Sequence, residues 1–423
     1  MMVDRKRRSA SATDVTKENE QHVSDFRYAV QISVYLLKPI GAWPLDDDEA
    51  TSWLKIAVHK VSTLIATFLM LFTIVPWIVQ IIKEKWSVIQ MLRTICPLLF
   101  TLTVFARYIL LMLHQNQLKS CMDRVADDWR YTIIAEDRET MLANARMGRT
   151  FGIVSVVFMF SSGALFFSLP LVLPSLINED NVTVRLHPSP CELLVFDSKI
   201  TPVYEIVYLL QTLSGCTIYS AFCGICSLMA NFVVHVCGQC DVLTLIFDET
   251  VDGGEHNRGP IEGRIATAVT RHLRMLRLVS DVSGLFTEIC LVEFIQASCN
   301  ICLIGYYIIT DLNNNESFVQ ISMYVLALAS IVFNVFMFCY IGDLLAERCQ
   351  KLGTTCYTVE WYRMPPRKAV EMIMPITISR YPATLTAGKM MTMTLTTFSD
   401  ILKTSMAYFN LLREFSIRDA TRT

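Results

Sequence analysis

The sequence predicts an all-α integral membrane protein of seven transmembrane helices, with its N-terminus in the cytosol and its C-terminus outside. Three observations predict it. Of 423 residues, 53% are hydrophobic and only 18% charged, whereas soluble domains carry about a quarter charged residues. The apolar residues come in long blocks, and the basic residues collect in alternate loops between them. The net charge of −2 leaves no large surface for nucleic acid or another polyanion. Residues Met1 to Glu20 are polar and the first apolar block begins after Trp53, so no secretory signal peptide is expected.

A helix needs about 20 mostly apolar residues to cross about 30 Å of hydrocarbon. Seven segments qualify: Ile56–Ile82, Thr94–Leu113, Thr150–Leu173, Val203–Val236, Leu285–Ile309, Ile321–Ile341 and Thr392–Leu412. The seventh is the most polar. Of the lysines and arginines outside the spans, Arg413 at the edge of span seven set aside, 26 fall on the side that holds the N-terminus and 7 on the other. Such an excess marks the cytosolic face. The two glycosylation sequons, at Asn181 and Asn315, both fall in loops this assignment places outside. A G-protein-coupled receptor has the opposite orientation, and neither Asp-Arg-Tyr after span three nor Asn-Pro-x-x-Tyr in span seven is present.

Span four has 34 residues, about 50 Å as a helix, so it projects beyond the bilayer. Over Ile261–Ser283, Ile265, Val269, Leu273, Leu276 and Val279 recur at helical spacing, with Arg264, Arg271, Arg274 and Arg277 on the rest of the surface. This predicts a cytosolic extension of span five, or else a membrane-surface helix. The fourteen cysteines lie mostly in spans or cytosolic loops; Cys191 alone is clearly in an outer loop, so no disulfide framework is expected. Cys223, Cys226, Cys237 and Cys240 spell C-x2-C twice, a zinc-like spacing. They share one helical face but span about 25 Å of axis, too far to surround one ion, and read as buried thiols. No metal or other cofactor is expected.

Charges inside spans are costly and point to function. Asp400 and Lys403 are placed to neutralise each other. Arg107 and Glu288 lie near cytosolic ends, where they can snorkel, while Glu293, Gln296 and Asn300 are deeper and must face protein or a wet cavity. In span seven, Met393, Thr397, Asp400, Thr404, Tyr408, Leu411 and Phe415 form one stripe, polar towards the inside and apolar at the outer end. It suits a pore wall closed by an apolar constriction, or equally a helix–helix interface glued by Ser and Thr. Aromatic and small polar residues gather in the outer halves of spans two, three, four and six: Phe100, Thr101, Phe160, Phe167, Tyr204, Tyr208, Gln211, Thr212 and Tyr324. A mostly apolar pocket with a few polar groups suits a small volatile ligand, although aromatics near an interface also form the ordinary membrane belt. Phosphate-loop, dinucleotide, metalloprotease and nucleophile-elbow motifs are absent, and no enzyme activity is expected.

Short segments along the chain resemble insect odorant receptors: Leu37-Lys38-Pro39-Ile40-Gly41-Ala42-Trp43-Pro44 before span one, Pro202 to Ile206 through Gln211 opening span four, His235 to Leu243 closing it, and Arg271-His272-Leu273-Arg274 before span five. The C-terminal run is the most specific, with Leu385-Thr386-Ala387-Gly388-Lys389, then Thr397-Phe398, Ser405, Tyr408-Phe409 and Leu411-Leu412. The resemblance implies a ligand-gated cation channel of four subunits, joined through the cytosolic ends of spans four to seven, with span seven lining the pore. It puts Leu411 and Phe415 at the apolar gate and the odorant pocket between spans two, three, four and six. It implies a heterotetramer with a shared co-receptor subunit and no requirement for a G protein, in the plasma membrane of olfactory neuron dendrites. The chain looks like a tuning subunit, lacking the insertion between spans four and five and the C-terminal ending of the co-receptor.

The expected organisation is a cytosolic segment over 1–55 with a membrane-dipping amphipathic part, six transmembrane helices and the pocket over 56–343, a cytosolic loop and anchor helix over 344–391, the pore helix over 392–415, and an extracellular tail over 416–423. Related gustatory receptors are the nearest rival reading, but their Thr-Tyr-x5-Gln-Phe signature is absent, as Tyr408 to Phe415 shows. A transporter would need inverted repeats, and none is evident.

Overall fold

The computed structural model describes residues 21–45, 52–83, 88–172, 176–177, 183–184, 187–189, 202–254, 260–313, 318–379 and 384–420. The helices are α1 His22–Leu37, α2 Trp53–Lys83, α3 Val88–Leu113, α4 Gln115–Tyr131, α5 Ala135–Val172, α6 Val203–Asp248, α7 Ile261–Asn313 and α8 Phe318–Thr358. The short α9 Pro366–Ala369 and α10 Ile373–Ser379 follow, then α11 Leu395–Ala420. There are also two short 3-10 turns, Trp361–Arg363 and Val370–Met372, and two small antiparallel pairs: β1 Leu176–Ile177 with β2 Thr183–Val184, and β3 Thr386–Ala387 with β4 Met391–Thr392.

Among the described residues, six helices are long and apolar enough to cross a membrane: α2, α3, α5, α6, α7 and α8. The apolar content of α11 is markedly lower. Helix α6 is apolar on every face and forms the core of the bundle, with an unbroken buried run from Ala221 to Gly238. A helix without a polar face has to be enclosed by others, and α1, α2, α5, α7 and α8 enclose this one. Helix α2 does the reverse: it leaves Leu64, Ile65, Phe68 and Leu71 exposed, a surface that only lipid solvates without cost.

Helix α1 lies against α5 and α6 through Ala29, Val30, Ser33 and Leu37, one face at four-residue spacing. Asp25 at its start receives two hydrogen bonds from the Arg138 guanidinium of α5, at 2.6 and 2.8 Å. That pairing raises the Arg138 pKa further above its ordinary value. After α1 the chain turns at Gly41, whose φ of +67° favours glycine. The Ile40 carbonyl there accepts from the Tyr108 hydroxyl of α3 at 2.9 Å.

The segment Leu385–Lys389 acquires a physical reason. Gly388 and Lys389 both have positive φ, at 61° and 57°, and form the tight turn joining β3 to β4. Gly388 also presses its backbone against α7, donating its N–H to the Thr287 carbonyl at 2.8 Å beside Leu291. Helix α11 begins just beyond, with the Leu395 N–H donating to the Asp343 carboxylate of α8 at 2.8 Å.

Several sequence expectations are corrected. Arg107 does not snorkel: it is fully buried and ion-paired to Glu293. The buried stripe of the α7 extension is Ile265, Ala268, His272, Met275 and Val279, rotated from the expected one, so Val269, Leu273 and Leu276 sit at its margin. Alanine and histidine carry too little hydropathy to announce a buried face. The extension is continuous with span five in a single helix of 53 residues. Helix α5 begins at Ala135, so the helix that holds span three starts well before the span itself. Helix α8 continues past span six to Thr358, and α11 past span seven to Ala420.

Candidate functional site

A cavity of about 240 Å³ lies inside the bundle, walled by α2, α3, α5, α6, α7 and α8. Aromatic rings form much of it. Tyr219 of α6 is their hub: its ring lies 6.4 Å from Phe100, 5.9 Å edge-on from Phe160 and 6.5 Å edge-on from Phe167. Two glycines make room for these rings. A Cβ on Gly163 would collide with the Tyr219 ring, and one on Gly215 with the Phe167 ring. On the α3 side, Pro97 removes one helical hydrogen bond, and the Thr101 hydroxyl donates to the Pro97 carbonyl at 2.7 Å.

Of the residues expected at a pocket, Phe100, Thr101, Phe167, Gln211 and Tyr324 line this cavity. Phe160 packs behind Tyr219. Tyr204 and Tyr208 stack on each other 6.1 Å apart, with His187 beyond Tyr204, and the Tyr208 hydroxyl donates to the Phe167 carbonyl at 2.6 Å. The Thr212 hydroxyl turns back to the Tyr208 carbonyl at 2.9 Å. Those four support the wall and do not line it. Sequence reasoning missed Tyr219 and the contributions of α2 and α7, among them Trp77, Asn300 and Tyr307. The face carrying Tyr204, Tyr208 and Gln211, extended two turns at helical spacing, reaches Gly215 and Tyr219, so the signal for Tyr219 was present.

Polar groups of α7 continue below the cavity. Asn300 lines its floor, accepting from the Cys96 thiol at 3.0 Å, and Gln296 and Glu293 follow on the same face, both fully buried. Arg107 of α3 closes on the Glu293 carboxylate, with its guanidinium 4.8 Å from the Phe222 ring centroid. An isolated charge at this depth would be costly, and the pairing keeps both groups tolerable.

The stripe on α11 divides. Met393 is buried against Gly342 of α8, and Thr397 is half-buried, donating to the Thr392 carbonyl at 2.7 Å. Asp400, Thr404, Tyr408 and Leu411 point away from the chain's own bundle, Tyr408 with 56% and Leu411 with 50% of their surface exposed. The interface with the bundle belongs to another face, through Ile401, Ser405 and Phe409, where the Ser405 hydroxyl reaches the Ser298 carbonyl of α7 at 3.2 Å. Asp400 and Lys403 approach to 3.6 Å on the exposed side, a pairing of little energetic weight. The Phe415 side chain, Asn181 and Asn315 lie outside the described residues.

The paired cysteines of α6 are all buried and meet different neighbours. Cys223 lies by Ser155, and the Cys240 sulfur is 3.8 Å from that of Cys349. Elsewhere, burial pushes the thiols of Cys121 and Cys356 up to about 12, far from the thiolate form that binds metals or reacts.

Comparison with known proteins places the chain in a family. Residues 87–406 match the family model described as 7tm odorant receptor. Odorant receptor Or2 of Anopheles gambiae is 24% identical over 312 residues, covering 72% of this chain and 79% of that protein. Odorant receptor 10 of Aedes albopictus is 25% identical over 51% of this chain and 57% of that protein. Among solved structures, the olfactory receptor OR5 of Machilis hrabei in complex with eugenol superposes with a TM-score of 0.79 over 94% of this chain and 100% of its own, at 14% identity. The same receptor in a second structure gives 0.75. Identity that low speaks for a shared fold. The family match over most of the chain, together with its long apolar helices, makes this protein a multi-pass membrane protein of the insect odorant receptor family.

Proposed function

We propose that the chain is the odorant-binding, tuning subunit of a ligand-gated, non-selective cation channel. The observation that carries the proposal is the aromatic-walled cavity, whose size and few polar groups suit a small volatile molecule. In this reading Phe100, Thr101, Phe167, Gln211 and Tyr324 contact the ligand, while Phe160, Tyr204, Tyr208 and Thr212 hold the wall behind them. The N-terminus lies in the cytosol, α11 makes the seventh crossing, and the C-terminus ends outside. The loops bearing Asn181 and Asn315 are then accessible to glycosylation.

Helix α11 is the pore helix. Its outward polar residues Asp400 and Thr404, with the half-buried Thr397 before them, face water, followed by Tyr408 and an apolar gate of Leu411 and Phe415. A stripe turned away from its own bundle supports that role, because four such stripes around an axis enclose a channel. The other subunits include the shared co-receptor, and the complex occupies the plasma membrane of olfactory neuron dendrites without needing a G protein. The inner ends of α6, α7 and α8, together with residues 344–391, form the anchor between subunits.

Helix α7 couples the two sites. Asn300, Ile304 and Tyr307 line the cavity, while the Thr287 and Ser298 carbonyls of the same helix hold the β3–β4 turn and α11. Ligand opens the pore only through a higher affinity for the open arrangement. Cells expressing the chain with the co-receptor are expected to pass odorant-evoked current while G-protein signalling is blocked. Current abolished by that block overturns the channel reading.

A further inference from the structure

Several polar groups lining the cavity already spend their hydrogen-bonding capacity on the protein. Thr101 donates to the Pro97 carbonyl, Ser162 to the Met323 carbonyl at 3.2 Å, and Thr73 shares a hydrogen bond with Ser214. Two side-chain amides are different. Asn300 is 1% exposed and Gln211 3% exposed, yet the Asn300 Nδ2 and the Gln211 Oε1 have no partner. The Ser189 carbonyl, which can only accept, fixes how the Gln211 amide is turned, and the Asn300 amide stands with its Oδ1 towards the Cys96 sulfur. Gln211 Nε2 donates to the Ser189 carbonyl at 3.0 Å, which leaves Oε1 as the spare atom. Asn300 Oδ1 accepts from the Cys96 thiol, which leaves Nδ2 spare. One amide therefore offers a donor and the other an acceptor. They stand on different helices, α7 and α6, around the same ring-lined space.

Leaving such groups unpaired in an apolar interior costs free energy that a matching ligand returns. We propose that the cavity selects small aromatic molecules carrying two polar groups: a hydrogen-bond acceptor, such as a carbonyl, held by Asn300 Nδ2, and a donor, such as a hydroxyl, held by Gln211 Oε1. The ring lies among Phe100, Phe167 and Tyr219. Purely hydrocarbon ligands of the same size fill the space but leave both amides unanswered. This assignment rests on the cavity being the ligand site and names the chemical class it takes.

The test uses the purified full-length chain in lipid nanodiscs and four probes of similar size: 4-hydroxyacetophenone, with both groups; 4-methylacetophenone, with the acceptor alone; 4-ethylphenol, with the hydroxyl alone; and 4-ethyltoluene, with neither. Binding is measured by calorimetry. On the wild-type chain, 4-hydroxyacetophenone is expected to bind at least tenfold tighter than 4-ethyltoluene, with the other two between, at about fivefold per hydrogen bond. Asn300→Leu is expected to erase the advantage of the carbonyl and Gln211→Met that of the hydroxyl, each read as the ratio of a probe's affinity to that of 4-ethyltoluene on the same variant. Retained 4-ethyltoluene binding doubles as the check that a variant is folded. Ala327→Trp, which fills the cavity, is expected to abolish all four. Wild-type affinities within twofold of one another, with binding still lost in Ala327→Trp, overturn the two-point assignment while the cavity remains the ligand site. Binding that survives Ala327→Trp, or no binding of any probe, overturns both.

Discussion

The two ends of the bundle are built differently. Around the cavity, helices meet through aromatic rings seated on glycines, buried amides keep unused capacity, and space for a ligand remains. At the end that carries the α4 helix and the extensions of α6, α7 and α8, the elements are tied by ion pairs. Arg274 reaches Asp128 at 2.8 Å, Arg348 reaches Asp241 at 2.7 Å, and Arg138 clasps Asp25. Trp129 and Phe247 are fully buried there. The contrast follows from the solvent. Lipid gives apolar helices no hydrophobic reason to close a void between them, whereas water beyond the membrane penalises every exposed apolar patch. On the proposed reading, room for a ligand is kept where lipid surrounds the bundle and a firm base where water does.

That contrast can be broken at its midpoint. Arg107 and Glu293 sit between the two ends, so Arg107→Met or Glu293→Leu alone leaves one buried charge unpaired. Each is expected to cost about 3–5 kcal/mol and to abolish the monodisperse peak in detergent size-exclusion. The double substitution should restore that peak; if it stays absent, the pair is not what holds this level together. At the cavity end, Gly163→Ala drives the Tyr219 ring inward. It should weaken binding of a ring-sized ligand about tenfold or more, the order of effect of one misplaced methylene, with little change in melting temperature.

The base is expected to respond in the opposite way. Asp25→Asn should lower stability by about 1–2 kcal/mol, discounted because Arg138 is one-third exposed, while ligand affinity stays unchanged. Smaller again is the contribution of His272, buried edge-on to Phe247. Burial holds its pKa below the ordinary value of 6.5, so the unfolded chain binds the proton more readily than the folded one. Stability contributed by neutral His272 is present above pH 6.5 and declines as pH falls below it. His272→Leu should flatten the melting temperature between pH 7 and 5.5; an unaltered slope assigns the acid sensitivity elsewhere. Least of all for stability, Leu411→Ala removes an exposed side chain and should cost under about 0.5 kcal/mol, yet raise resting leak current if Leu411 narrows the pore.

How much of this was legible from the sequence depended on range. Apolar blocks announce helices locally, and the long α7 extension could be read from its period. Clustered aromatics pointed to the neighbourhood of the cavity, and Phe100, Phe167, Gln211 and Tyr324 do meet there. The Arg107–Glu293 pair joins residues 186 apart, and no local pattern tells a buried arginine from one that reaches for the interface. Tyr204 and Tyr208 share the chemistry of Tyr219 but lie a few turns too far along α6; depth in the bundle distinguishes them, and a one-dimensional pattern does not record depth. The stripe on α11 was read as pore wall or interface with equal right. The burial of Ile401, Ser405 and Phe409 shows that a different face holds α11 to its own bundle, which spacing alone did not announce.

Helix length has a mechanical consequence. At 46 and 53 residues, α6 and α7 are unbroken rods of about 70 and 80 Å, more than twice the roughly 30 Å hydrocarbon core of a membrane. Pivoted near one tip, such a rod sweeps its far tip by more than an ångström for each degree of tilt. A molecule wedged between the upper parts of these levers therefore has no need to reshape its surroundings much, because leverage alone enlarges a slight displacement on its way to the opposite side.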